Sequence, residues 1–206
     1  MSKQYTVNRA GNSVVEVGGS KFFGFAFPVG NRDEIDEKIS RLRDDFSDCT
    51  HLIYAFRLGE NGAEEYYTDA GEPAGTAGAP VIKILRTKNI TDILVAIIRY
   101  FGGKKLGTGG LVRAYSETAK KAIENAKLIT YIRMSKIRMK IPYGAVSQIA
   151  VFIDSIGGIM VRQNFEQEIT LVAKVPQTKL NELKEMVADI TRGKCKLEII
   201  DGKDTL

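Results

Sequence analysis

The sequence has 206 residues, with 30 Lys and Arg against 25 Asp and Glu, which gives a formal net charge of +5 at neutral pH. Hydrophobic residues make up 44% and charged residues 27%. This balance excludes a disordered chain, which would be poorer in apolar residues and more one-sided in charge. The mild positive charge permits a polyanionic partner without requiring one.

Cysteine and histidine are scarce, since the chain contains only Cys49, Cys195 and His51. No spacing among them suits zinc or a disulfide framework, so we expect no metal site. The spacing of Cys49 and His51 permits a Cys–His relay but more strongly favours two half-buried strand residues. The N-terminus has no apolar segment of signal-peptide length, and residues 93–98, the longest apolar run, are too short to cross a bilayer. We therefore expect a cytoplasmic protein that does not bind membranes.

The first half of the chain predicts alternating strands and helices. Residues 13–29 are typical of two strands joined by a turn at Gly18-Gly19. Asn31, with Glu34 three residues later, predicts the start of a helix. Further strands are predicted at residues 50–58, 65–68 and 93–98. A later helix is indicated by an apolar stripe of Leu111, Tyr115, Ala119, Ala122 and Ala126.

Two glycine-rich segments, residues 68–80 and 99–110, each lead into a predicted helix. Glycine allows close approach of a ligand, and free N–H groups at a helix start attract anions. Neither segment fits the Walker A or dinucleotide pattern, and tight loop packing explains the glycines equally well. The candidate phosphate and nucleic-acid contacts are Arg99, Gly102, Gly103, Lys104, Lys105, Gly107, Thr108, Gly109, Gly110 and Arg113.

The positive charge is concentrated in one part of the chain. Residues 81–133 hold eleven bases and three acids, for a net charge of +8, whereas residues 136–206 hold eleven bases and nine acids. The polyanion hypothesis therefore concerns the first domain, although such a run of bases is usually a solvated surface.

The first glycine-rich segment contains two carboxylates, Asp69 and Glu72. They could bind a hard cation, but bracing of the loop through backbone N–H groups is the favoured interpretation. No set of nucleophile, base and orienting group can be assembled, so we predict no catalytic residue and no cofactor.

The pattern restarts after Met134. Strands are predicted at residues 136–143, 159–165, 168–175 and 196–200, with one amphipathic helix after the first strand and another after the third. This βαββαβ order is typical of a ferredoxin-like domain. We therefore predict two domains, residues 1–134 and 135–206.

Residues 69–80 and 99–115 closely resemble the signature motifs of the YigZ/IMPACT family. The resemblance covers roughly residues 10–130, and the bacterial YigZ branch is similar over the whole chain. One departure is Ala70, where the family usually has a second Asp. The residues that match family motifs without an assigned role are Ser20, Phe22, His51, Arg57, Asp69, Gly71, Glu72, Pro73, Gly75, Thr76 and Gly78.

The resemblance implies an α+β fold, in which a ribosomal protein S5 domain 2-like domain precedes a ferredoxin-like domain similar to domain V of elongation factor G. In the first domain it implies helices on one face of a four-stranded sheet. The eukaryotic IMPACT branch regulates translation under stress through protein contacts. Bacterial members are inferred to bind nucleic acid or ribosomes, without an established enzyme activity.

Residues and resemblance together lead us to expect a non-enzymatic protein that binds RNA or the ribosome and is connected with the regulation of translation. One alternative is a protein-interaction module that uses the acidic segments 31–48 and 58–72 or a helix face. Another is an enzyme acting on a phosphorylated small molecule. We expect a monomer.

Overall fold

The computed structural model describes residues 3–165 and 169–200. It divides into two compact units, with the boundary between Tyr131 and Ile132, close to the predicted one after residue 134. Within the described ranges, no helix is both long and apolar enough to cross a membrane.

The first unit is built on a mixed set of strands and helices. Its described strands are β1 (Tyr5–Val7), β2 (Gly11–Val17), β3 (Ser20–Pro28), β4 (His51–Leu58), β5 (Glu64–Thr68), β6 (Ile93–Tyr100) and β7 (Leu128–Thr130). Its described helices are α1 (Arg32–Asp45), α2 (Gly78–Thr87) and α3 (Gly107–Asn125). An antiparallel sheet has the order β2-β3-β6-β4-β5, while β1 pairs with β7 in a separate two-stranded sheet.

Strand β6 is buried on both faces, which explains the continuous apolar run in the sequence. Ile93, Val95 and Ile97 join the core beneath α2 and α3, whereas Leu94, Ala96 and Ile98 join a second core beneath α1. Side chains alternate between the faces of a strand, so a strand covered on both sides must be apolar throughout.

The expectation of a four-stranded sheet with helices on one face is wrong in two respects. Among residues 3–131 the sheet has five strands, because β5 extends it as an edge strand. Helix α1 packs on the face opposite α2 and α3, because Phe23, Phe25 and Phe27 of β3 make that face apolar and require a cover.

Local signals in the first unit are confirmed. The Asn31 side chain accepts a hydrogen bond from the Glu34 N–H at 2.9 Å, and the Glu34 carboxylate accepts one from the Gly30 N–H at 2.9 Å. Together these two bonds satisfy donors at the start of α1. Gly18 and Gly19 form the predicted turn between β2 and β3, both with positive φ.

The second unit is a ferredoxin-like domain. Its described elements are β8 (Met134–Ile141), α4 (Val146–Ser155), β9 (Ile159–Phe165), β10 (Ile169–Pro176), α5 (Leu180–Thr191) and β11 (Leu197–Ile199). The antiparallel sheet order is β11-β8-β10-β9, and both helices contribute to one core with the sheet. Residue 168, the predicted start of the third strand, lies outside the described residues.

Arg57 of β4, a family-motif residue, has a structural position. Its buried guanidinium donates to the carbonyl oxygens of Leu85 (3.3 Å), Ile90 (3.0 Å) and Asn61 (2.7 Å). It also donates to Glu65 Oε2 at 3.1 Å. Arg57 therefore ties the end of α2 and the turn before β5 to β4, the strand between β6 and the edge strand.

Replacing Arg57 by Met is expected to lower the free energy of unfolding by about 2–4 kcal/mol, because buried carbonyl groups lose their donors. Arg86 also pairs with Glu65 but is exposed, so Arg86→Met is the matched control and should lose no more than about 1 kcal/mol. Urea unfolding followed by far-UV circular dichroism measures both values. Equal midpoints for the two variants would contradict this assignment.

Candidate functional site

A pocket of about 430 Å³ lies where the two glycine-rich segments meet. The first segment contributes Glu72 and Pro73, and the second contributes the residues that lead into α3. Its lining consists of Thr50, His51, Glu72, Pro73, Arg99, Phe101, Lys105, Leu106, Gly107, Thr108 and Leu111. The fold therefore brings together residues from both predicted loops and from the end of β6.

A buried ion pair forms part of the pocket wall. Arg99 Nη1 donates to Glu72 Oε1 at 2.6 Å, and the Tyr115 hydroxyl donates to the same oxygen at 2.6 Å. The exposed fraction of the side chain is only 3% for Glu72 and 6% for Arg99. Burial, reinforced by the hydrogen bond to Glu72 and by its charge, raises the pKa of Tyr115.

The ion pair changes the role expected for Arg99. Its positive charge is offset by Glu72 at hydrogen-bond distance, so Arg99 is not a free surface cation. Nη2 of Arg99 lies 3.4 Å from Ser20 Oγ, which also accepts a hydrogen bond from the Gly102 N–H at 3.1 Å. Ser20 thus links the start of β3 to the second loop.

Arg99 nevertheless has one unused donor. Its Nε is buried and has no hydrogen-bond partner among the described residues. The guanidinium carbon lies 5.4 Å from the ring centroid of Phe22 and 5.5 Å from that of Phe101. Phe22 is buried and packs edge-on against Tyr115 at 5.1 Å, whereas Phe101 is 47% exposed.

His51 is held in one tautomer. Its Nδ1 lies 2.9 Å from the carbonyl oxygen of Ala70, which can only accept, so Nδ1 carries the proton of the neutral ring. Nε2 is then an acceptor and lies 4.0 Å from Glu72 Oε1.

Cys49 packs in the core beneath α1, and burial raises the pKa of its thiol. Cys49 therefore belongs to the core beneath α1, whereas His51 lines the pocket.

Asp69 braces the first loop, as favoured from the sequence. Its carboxylate accepts hydrogen bonds from the N–H groups of Gly75 (2.8 Å), Ala77 (3.0 Å) and Gly78 (2.8 Å). Burial raises the pKa of Asp69, but these backbone donors outweigh it and hold the pKa below its usual value. The bonds satisfy donors at the start of α2, which no residue at the helix boundary itself caps.

The rest of the first loop is held by hydrogen bonds within the loop. Thr76 donates from its hydroxyl to the Pro73 carbonyl oxygen at 2.6 Å, and the Glu72 N–H donates to the Asp69 carbonyl oxygen at 2.9 Å. Gly71, like Gly75, has positive φ, and a Cβ on Gly78 would lie 2.4 Å from the Thr68 carbonyl oxygen. No group of three or more His, Cys, Asp or Glu residues within the described ranges is placed to hold a metal ion.

Ala70 adopts a φ of +43°. Asp is better tolerated than Ala in this left-handed region, because its short polar side chain can bond to the local backbone. An Asp at this position therefore suits the backbone of the loop better than Ala70 does.

The second loop contains glycines with different roles. A Cβ on Gly102 would lie 1.8 Å from the backbone carbon of Gly19, so this glycine is required for packing. Gly103 and Gly107 have positive φ, and a Cβ on either would meet no atom within 4 Å. A Cβ on Gly110 would lie 2.9 Å from that of Leu106, while one on Gly109 would meet only Arg113 Nη1 at 3.7 Å.

The start of α3 is uncapped. Among the described residues no side chain accepts a hydrogen bond from the N–H groups of its first turn, and that turn contains no acidic residue. Gly107 and Thr108 of this turn line the pocket, together with Lys105. Lys104, Lys105 and Arg113 are exposed. We call this cluster, the first-turn N–H groups together with Lys104, Lys105 and Arg113, the α3 rim. All of its residues belong to the set predicted from sequence, whereas Arg99 of that set is paired with Glu72.

Sequence reasoning missed Tyr115 and Thr50 as site residues. Tyr115 was predicted only as part of an apolar stripe, and its hydroxyl gives no local sign that Glu72 lies beside it. Thr50 belongs to no recognisable sequence motif. In the structure its hydroxyl accepts a hydrogen bond from the Phe101 N–H at 3.0 Å. Both contacts depend on tertiary structure.

The second unit also has a basic surface. Lys136, Arg138 and Lys140 alternate along β8 and, with Arg162 of β9, line a groove of about 530 Å³. Arg138 pairs with Glu198 at 3.3 Å. The second unit therefore has one basic face although its net charge is close to zero.

Replacing Asp69 by Asn is expected to lower the free energy of unfolding at pH 7 by about 1–2 kcal/mol, because both carboxylate oxygens accept backbone hydrogen bonds and the uncharged amide keeps only one accepting oxygen. Because the pKa of Asp69 is depressed in the folded state, its stabilisation is present above the unfolded pKa and is lost as pH falls through the folded pKa. The difference between the two proteins should therefore shrink below about pH 4. Thermal unfolding across a pH series tests this, with the exposed Asp36→Asn as control; a difference that stays constant down to pH 2 would contradict it.

Comparison with known proteins places these features in a wider group. The Impact N-terminal domain family matches residues 18–123. The chain is 26% identical to the IMPACT family member YvyE of Bacillus subtilis over 190 residues, covering 92% of this chain and 88% of YvyE. It is 25% identical to the IMPACT family member YigZ of Escherichia coli, covering 91% of this chain and 93% of YigZ.

A crystal structure described as that of a hypothetical protein is also similar, with a TM-score of 0.71 and 24% sequence identity. It covers 98% of this chain, and all of that protein is covered in return, which shows the same fold across both units. The match at residues 18–123 includes both glycine-rich loops and the Glu72–Arg99 pair. The chain therefore belongs to the Impact N-terminal domain family.

Proposed function

We propose that this protein binds RNA at the α3 rim without catalysing a reaction, and that it acts with the ribosome in the regulation of translation in the cytoplasm. The observation that carries this proposal is the uncapped first turn of α3 beside three exposed cations, Lys104, Lys105 and Arg113. N–H groups at a helix start and flexible basic side chains are both suited to phosphate oxygens.

Charge supports an anionic partner at this surface. The helix dipole places partial positive charge at the start of α3, and no acidic side chain in the first turn offsets it. Lys104 and Lys105 precede that turn, and Arg113 lies on its second turn. Contacts of this kind recognise the phosphate backbone and give affinity with little sequence preference.

Phe101 adds a surface on which a base can stack. Its ring is half exposed, lines the pocket and lies close to the Arg99 guanidinium. Stacking of a base on an aromatic ring is tolerant of sequence and favours single-stranded RNA. Tyr100, by contrast, donates its hydroxyl to Asp48 at 2.6 Å and packs in the core beneath α1.

The partners of the acidic groups favour binding over catalysis. Asp69 accepts backbone hydrogen bonds, and Glu72 accepts from Arg99 and Tyr115. A general base or nucleophile needs to reach a substrate proton or electrophile, and these carboxylates are held by structural partners. The connection with translation rests on the family resemblance and not on this geometry.

Removing both loop lysines, Lys104→Gln with Lys105→Gln, is expected to weaken binding of a short single-stranded RNA about tenfold at moderate salt. Losing two phosphate contacts should also reduce the slope of log affinity against log salt by about 1.4. Fluorescence anisotropy across a salt series measures both quantities.

The matched control is Lys120→Gln with Lys121→Gln, which removes the same charge from exposed positions about 20 Å further along α3. This variant should keep the parental affinity within about twofold. If Lys136→Gln with Lys140→Gln abolishes RNA binding while the loop variant binds as the parent does, RNA binds the second unit and the proposed site is wrong.

Ribosome co-sedimentation with and without nuclease tests the partner, since binding through RNA is lost on nuclease treatment.

A further inference from the structure

We propose that the pocket beside the α3 rim holds one nucleotide and recognises its phosphomonoester group. The nucleotide is either the phosphorylated end of an RNA or a free nucleoside monophosphate. This inference rests on the proposed function, because it gives the RNA-binding rim a specific subsite.

The pocket has the size and composition of a small-molecule site. Its volume of about 430 Å³ lies in the range of roughly 300–1,000 Å³ that is typical of ligand pockets. Polar and charged groups lie beside apolar ones, since Pro73, Leu106, Leu111 and Phe101 also line it. A nucleotide has the same division between a charged phosphate and a flat, largely apolar base.

The phosphate end is defined by the start of α3. Gly107 and Thr108 bring first-turn N–H groups to the lining, Thr108 adds a hydroxyl, and Lys105 adds a positive charge. The charged groups of the lining are Arg99, Lys105 and Glu72, for a net charge of +1 with His51 neutral. A phosphomonoester carries nearly two negative charges at neutral pH and a phosphodiester one, so this electrostatic field favours the monoester.

Arg99 supplies an independent sign of a missing partner. Its side chain is more than nine-tenths buried, lines the pocket and is fixed by Glu72, yet its Nε has no hydrogen-bond partner among the described residues. A buried charged donor without an acceptor is unfavourable. Because Nε has almost no accessible surface, a ligand oxygen satisfies it only if ligand binding shifts the side chains of this wall.

The base end is defined by Phe101. Its exposed ring lies against the Arg99 guanidinium on one side, which leaves a ring face for stacking. His51 Nε2, an acceptor because Nδ1 donates to Ala70, is suited to a sugar hydroxyl. Inorganic phosphate would use neither group, so the pocket favours a nucleotide over phosphate alone.

The test compares five probes by isothermal titration calorimetry on the full chain. These are a short RNA with a 5′-phosphate, the same RNA with a 3′-phosphate, the same RNA without a terminal phosphate, adenosine 5′-monophosphate, and inorganic phosphate. We expect a terminal phosphate at one end to raise RNA affinity about tenfold. If a terminal phosphate raises the affinity of the RNA and adenosine 5′-monophosphate does not bind, the phosphate that the pocket recognises is that of an RNA end.

Two variants separate the pocket from the rim. Phe101→Ala and Thr108→Val alter exposed positions of the lining and should remove most of the advantage of the phosphorylated end. Lys104→Gln, whose side chain is exposed and does not line the pocket, should weaken phosphorylated and unphosphorylated RNA equally. Far-UV circular dichroism and thermal unfolding establish that each variant is folded.

The outcomes distinguish this inference from the proposed function. If terminal phosphate changes affinity less than twofold while RNA binding stays sensitive to salt and to Lys104, the inference is overturned and the proposed function stands. If adenosine 5′-monophosphate binds and no RNA does, the pocket is supported and the proposed function is overturned. Inorganic phosphate that binds as tightly as the nucleotide overturns the assignment of the base end.

Discussion

The buried pair of Glu72 and Arg99 is the interaction on which the architecture of the first unit's loops depends. Glu72 belongs to the first glycine-rich loop, Arg99 to the end of β6, and Tyr115, which donates to the same carboxylate oxygen, to α3. Removing either charged partner would leave an uncompensated charge in a low-dielectric interior, which is strongly destabilising. The pair therefore fixes the position of the first loop relative to the second, and with it the shape of the pocket between them.

The same pair determines which positive charges are free. Arg99 is neutralised inside the unit, while Lys104, Lys105 and Arg113 stay exposed around a helix start without a cap. The two loops therefore have different roles. In the first, Asp69 binds backbone N–H groups and Glu72 binds Arg99 and Tyr115, whereas in the second the α3 rim remains exposed and can bind an anion. The glycines follow this division, because Gly102 permits close packing against Gly19 whereas Gly109 has no such steric requirement.

The elements with strong local signals could be predicted from sequence. The Asn31 cap, the Gly18-Gly19 turn, the apolar run of β6 and the ferredoxin-like order of the second unit all depend on residues a few positions apart. The family resemblance implied helices on one face of the sheet, and the apolar stripe of α1 could not correct this, because it identifies a buried face but not the surface that it meets. Strands β1 and β7 were missed since each has three residues and its partner lies more than a hundred positions away.

The contacts of the candidate site were also beyond local patterns. Glu72 is 27 positions from Arg99 and 43 from Tyr115, so no local pattern could reveal these contacts.

The central claim is that the start of α3 is the ligand-binding surface of this protein. Titration of the isotopically labelled protein with a short 5′-phosphorylated single-stranded RNA, followed by amide chemical-shift mapping, tests it most directly. The account predicts that the largest shifts fall on the N–H groups of residues 104–110, with smaller ones at Phe101 and His51. Shifts confined to the β8–β9 face of the second unit, or no shifts at residues 104–110 at saturating RNA, would contradict it.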